Sequence, residues 1–114
     1  MELKLDIYEN KKVIKTYTAN DFVLTTGICE DILNTVDIDK LTSGGLSQDQ
    51  LGLEILKIVT KSFNKFKPFL QDIFEGLTEE EYRKTKIKDV ANVIIKVVTF
   101  TISELFSVEG NSKN

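Results

Sequence analysis

The sequence contains no histidine and a single cysteine. The missing histidine removes much chemistry at once. No serine or cysteine nucleophile has an imidazole base, and transition metals lose their commonest side-chain ligand. Only carboxylates, lysines and tyrosines remain for acid–base work. Cys29 has no second cysteine, so there is no disulfide framework and no zinc spacing, a usage that fits a reducing cytoplasm. The opening residues MELKLDIYEN lack the apolar core of a secretory leader. Charged residues make up 29% of the 114, and the net charge is −3. That is a well-solvated surface with no global attraction to nucleic acid or to an anionic membrane. The length suits one domain around one core.

What the chain does have is residues 90–106, VANVIIKVVTFTISELF. Wound as a helix, Asn92, Lys96, Thr99 and Ser103 form one narrow polar stripe, and nearly all the rest of the wheel is apolar. β-branched residues are frequent here and favour strands, but the period of the polar stripe is helical. A helix so widely apolar belongs at the centre of a bundle or against another subunit. It rises roughly 25 Å, short of a ~30 Å hydrocarbon core, and Lys96 would sit near its middle. A membrane span is therefore not expected.

Taken in order, residues 2–8 alternate, with Leu3, Leu5 and Ile7 on one face, as in a half-buried strand. Glu9-Asn10-Lys11-Lys12 reads as a turn and 13–18 as a second strand. The hairpin must lie on the helices or extend another sheet, and its edge is a candidate docking strand. A helix is expected over about 20–36, capped by Thr18 or Asn20. Its apolar set is Phe22, Leu24, Ile28, Cys29, Ile32, Leu33 and Val36, with Gly27 marking a close helix contact or a kink. Cys29 reads as a small buried hydrophobe. Residues 37–46, with Gly44-Gly45, read as a loop without a phosphate-binding pattern. Ser47 and Gln50 form a capping box for a helix expected to run to about Lys67. Leu51, Ile55, Ile58, Val59, Ser62 and Phe66 trace its inner face. Lys57, Lys61 and Lys65 form an outer stripe, either a solvated face or a contact for an acidic partner. Pro68 suits the start of a short helix and Gly76 its end. Thr78-Glu79-Glu80-Glu81 is a second capping box, with Tyr82 pointing inward. The last helix is expected over 87–108, followed by a polar tail, 109–114.

These elements give a mainly α, α+β fold. It is a bundle of four to five helices with an N-terminal β-hairpin over 2–18, one domain across 1–108. No catalytic residue, cofactor or metal site is expected. Neither a nucleic acid nor a membrane is expected as a partner.

The order of elements, with Phe63 and Phe66 and the cluster Ile73-Phe74-Glu75-Gly76-Leu77 ahead of an acidic helix start, resembles the tail assembly chaperones of long-tailed bacteriophages and prophages of Gram-positive bacteria. The resemblance runs from Leu3 to Phe106. It implies a non-enzymatic protein of the host cytoplasm, absent from the mature virion. Such a protein binds the tape measure protein, keeps it soluble, self-associates as a homo-oligomer, and leaves as tail-tube protein polymerises. The candidate interaction surface is Phe63, Phe66, Phe69, Phe74, Val93, Val97, Phe100 and Phe106, shared between core and interface. The competing expectations are a head–tail connector or tail-completion protein of the phage particle and a small regulatory binding module.

Overall fold

The computed structural model describes residues 2–20, 22–37, 39–40, 45 and 47–106, and for Gln48 and Phe106 the backbone only. The loop expected over 37–46 lies largely outside these residues, as does the tail 109–114.

The chain opens with strands β1 (Leu3–Glu9) and β2 (Lys12–Ala19), paired antiparallel. Asn10 and Lys11 both take positive φ, 54° and 67°, which makes the two-residue turn whose twist matches that of the strands. Asparagine tolerates this region; lysine does so at a cost. Lys11→Gly is therefore expected to stabilise the fold by about 1 kcal/mol, read as a higher urea midpoint at unchanged slope. Leu3, Leu5 and Ile7 are fully buried, as their alternation predicts. The register shifts between Ile7, opposite Lys15, and Tyr8, opposite Val13. Ile14 is the extra residue of a bulge, and Val13 and Ile14 both stay about half exposed. On the outer side of β1, the Tyr8 N–H donates to the Lys84 carbonyl at 2.8 Å. The open edge belongs to β2, where the bulge, Lys12 and Lys15 disfavour strand addition.

Helix α1 (Thr26–Thr35) begins later than expected, capped not by Thr18 or Asn20 but by Thr25, whose hydroxyl accepts the Ile28 N–H at 3.2 Å. Thr18 lies within β2. Residues 22–25 run without helical structure, and Phe22 and Leu24 pack against the core from there. Ile28, Ile32 and Val36 are buried, Cys29 only partly so, and Leu33 is 50% exposed. A side chain at Gly27 would meet nothing within 4 Å, so no close helix contact forms there among the described residues.

Helix α2 (Gln48–Lys61) starts on the Ser47–Gln50 capping box, as expected, but ends at Ser62. The single helix expected to about Lys67 is two. Ser62 leaves helical geometry at φ −138° and ψ 39°, and α3 (Phe63–Ile73) sets off from it. Pro68 therefore sits inside α3 rather than in its first turn. Two shorter helices bring Ile55 and Val59, then Phe66, Phe69 and Leu70, into one core. Gly76, at φ 91°, turns the chain where most residues would be strained. The Thr78–Glu81 capping box then opens α4 (Glu79–Tyr82), with Tyr82 inward as expected.

Helix α5 (Ile87–Phe106) is the centre of the bundle. It packs between α2 and β1. Val90, Ala91, Val93, Ile94, Val97 and Val98 are buried, while Asn92, Lys96 and Ser103 of the polar stripe face solvent. The one buried hydroxyl of this helix, on Thr101, donates to the Val97 carbonyl at 2.8 Å, so it carries no desolvation penalty. Among the described residues no helix is long and apolar enough to cross a membrane.

Candidate interaction groove

The eight residues of the candidate surface separate. Phe66, Phe69, Phe74, Val93 and Val97 are each 3% exposed or less. As a surface, these five are corrected to core. They belong to the one core cluster with Leu3, Leu5 and Ile7 of the hairpin, so a partner docking on the folded chain does not meet them. Phe100 is half-buried and closes edge-to-face on Phe22 at 5.8 Å. The Phe106 side chain lies outside the described residues. Phe63 is 43% exposed. It shares a helical face with Phe66 and Phe69, but as the first residue of α3 it stands beyond the rim of the core.

Phe63 forms one lip of an open groove of about 450 Å³. Asn64 and Lys67 continue its wall along α3; Glu79, Tyr82 and Arg83 come from α4, and Ile87 and Val90 from the start of α5. Ile87, 40% exposed, is the groove's second large apolar lining residue. The Tyr82 hydroxyl donates to the Phe63 carbonyl at 3.0 Å, tying α4 to the first turn of α3. Burial pushes that hydroxyl's pKa up. Lys67 and Glu79 meet at 2.6 Å, and this contact holds the Glu79 carboxyl below its ordinary range. Arg83 is exposed and makes no ion pair among the described residues.

A four-residue helix is too short to hold its own place, and the hairpin fixes α4 from the other side. Glu81, which already closes the capping box, accepts from the Tyr17 hydroxyl at 2.5 Å and from the Lys15 ammonium at 3.1 Å. Lys84 reaches Glu9 at 3.1 Å. The Tyr17 hydrogen bond first, then the Thr78 N–H and Lys15, lower the Glu81 carboxyl to about 2 from an ordinary 4.5. A depressed carboxylate stabilises the fold fully above the unfolded value and loses that contribution as pH falls through the folded one. Tyr17→Phe is therefore expected to lower the urea midpoint near pH 6, with the gap from wild type narrowing as the pH falls from 4.5 toward 2.

Comparison with protein-family models, curated proteins and solved structures finds no match. The reading of the groove therefore rests on its geometry. Its two large apolar lining residues, Phe63 and Ile87, are only about half covered, so a segment laid into it would bury them, whereas a small-molecule site normally encloses its walls. Among the described residues no group of three or more metal-ligating side chains comes together.

Sequence reasoning placed Tyr82 and proposed Phe63, but missed Arg83 and Ile87 as parts of one site. The signal for Ile87 was an apolar residue between Lys86 and Lys88 at a helix start. The expected lysine stripe is interrupted. Lys57 pairs with Glu54 at 3.6 Å, and the break at Ser62 separates Lys65 from Lys61.

Proposed function

We propose that this chain is a non-enzymatic assembly chaperone of the phage-tail type, holding an apolar helical segment of a tape measure protein in the groove between Phe63 and Ile87. The observation that carries this reading is that two large apolar side chains, Phe63 and Ile87, about half exposed, line the same open groove. Exposed apolar surface framed by charge marks interaction sites, and an amphipathic helix laid into such a groove buries its apolar face. The mainly helical fold with an N-terminal hairpin is the one that the sequence resemblance implies.

The test is co-expression with the tape measure protein of the same gene cluster. A soluble complex is expected where the tape measure protein alone is insoluble, and Phe63→Asp with Ile87→Asp should abolish it while the variant stays folded. A tape measure protein left insoluble beside a closed ring of this chain would instead favour a connector of the particle.

A further inference from the structure

We infer that the hairpin sets the affinity of this groove without lining it: Tyr17, Lys15 and Glu9 hold α4 and the turn after it in place as a groove wall, so that hairpin docking and occupation of the groove strengthen one another. Glu79, Tyr82 and Arg83 are the lining residues that come from α4 and its C-cap. Spaced i, i+3 and i+4, they share one side of the helix. Glu81 and Lys84 turn to the hairpin instead. Glu81 accepts from the Tyr17 hydroxyl and the Lys15 ammonium, and Lys84 reaches Glu9. The Tyr17 hydroxyl also lies 3.0 Å from the carbonyl of Gly76, where the chain turns toward α4. The Tyr8 N–H donates to the Lys84 carbonyl. None of Glu9, Lys15 and Tyr17 lines the groove.

The two sides hold α4 differently. On the groove side Tyr82 is buried in the core and its hydroxyl holds the Phe63 carbonyl, which fixes the helix at one point. The other tie there, Lys67 to Glu79, ends in a largely exposed carboxylate, and such pairs contribute little. On the hairpin side the Glu81 carboxylate is mostly covered, and hydrogen bonds to a carboxylate are stronger than neutral ones. A helix of one turn, fixed at a single point, can tilt about it. The contacts at Gly76, Glu81 and Lys84 remove that freedom. Without them Glu79 and Arg83 move relative to Phe63 and Ile87, which stay on α3 and α5, and a bound segment loses a fitted wall. By linkage, a segment that needs the wall in place stabilises the hairpin contacts in return.

This coupling rests on the groove being the binding face proposed for it, and the experiment separates the two. The apolar dye anilinonaphthalene sulfonate is titrated into the full chain, and the groove's share is the binding that Phe63→Asp/Ile87→Asp removes. Tyr17→Phe and Lys84→Met should each weaken that share, and binding of the co-expressed tape measure protein, on the order of fivefold or more. Thr16→Ala removes a hydrogen bond of the same hairpin, to Asp6 at 2.7 Å, that does not reach α4, and should leave both unchanged. Circular dichroism should show all three variants folded. In the wild type, saturating dye should slow hydrogen exchange severalfold at the Tyr8 amide, whose bond joins the hairpin to the α4 segment. Three results would each overturn the coupling and leave the groove as a binding face. They are groove binding untouched by Tyr17→Phe and Lys84→Met, binding weakened equally by Thr16→Ala, and a Tyr8 amide that exchanges at one rate with and without the dye. Binding that ignores Phe63→Asp/Ile87→Asp would remove the groove as a site, and the coupling with it.

Discussion

Phe74→Ala is expected to lower the unfolding free energy by about 3–5 kcal/mol, whereas Phe63→Ala should change it by less than about 1 kcal/mol. Both are phenylalanines of the candidate surface; their surroundings set the difference. Phe74 is 2% exposed, at the C-terminal cap of α3, with its ring 6.3 Å from that of Tyr17. Removing it opens a cavity where the hairpin meets the helices, and it strips the packing from the tyrosine that holds Glu81. The cavity adds to the lost transfer free energy because the hairpin, clasped at Glu81 and Lys84, cannot collapse fully into the space. For a domain with about 5–15 kcal/mol in total, the loss is a large share, and urea denaturation should show a much lower midpoint. Phe63 already sees water over 43% of its surface, and its truncation leaves an indentation rather than a void. Its effect should appear in association instead. Equal losses at the two positions would mean that Phe63 belongs to the core rather than to the groove.

This contrast shows what the sequence could and could not carry. The alternation of Leu3, Leu5 and Ile7 and the two capping boxes are local signals, and the structure follows them. The break at Ser62 is not local. Leu51, Ile55, Ile58, Phe66, Phe69 and Ile73 keep a helical period straight through it, so periodicity argues for one helix. The break lets the two helices go separate ways, α2 onto α5 and α3 onto α1. The start of α1 was obscured similarly, since Phe22 and Leu24 bury apolar surface as a helix would but from a connecting segment. The groove was the least legible part. Phe63, Arg83 and Ile87 lie on or beside three different helices, and tertiary packing alone brings them together. The Tyr82 hydrogen bond to the Phe63 carbonyl is one of the contacts that does so.

Val97→Lys is expected to leave the chain without a cooperative unfolding transition at pH 7, whereas Lys96→Gln, one residue away, should be nearly silent. A step of one residue along a helix is a turn of about 100°, and here it passes from solvent to the centre of the bundle. Lys96 is exposed, while Val97 is fully buried in the single core cluster. A charged ammonium at position 97 would cost several kcal/mol even after relaxation. The alternative is to fold neutral. Deprotonating a lysine of ordinary pKa near 10.4 at pH 7 costs about 4–5 kcal/mol. Overpacking by the longer side chain adds about 1–3 kcal/mol. The sum meets or exceeds the stability of a small domain near the lower end of its range. The pH dependence separates this from mere misfit. A buried lysine has a lowered folded pKa, so its penalty falls as the pH rises and vanishes near the unfolded value. Far-UV circular dichroism of Val97→Lys should therefore recover helix between pH 7 and about pH 10, an interval over which Lys96→Gln should not change. If Val97→Lys instead unfolds with a wild-type midpoint at pH 7, then position 97 reaches water, and α5 is not the helix around which the rest of the chain packs.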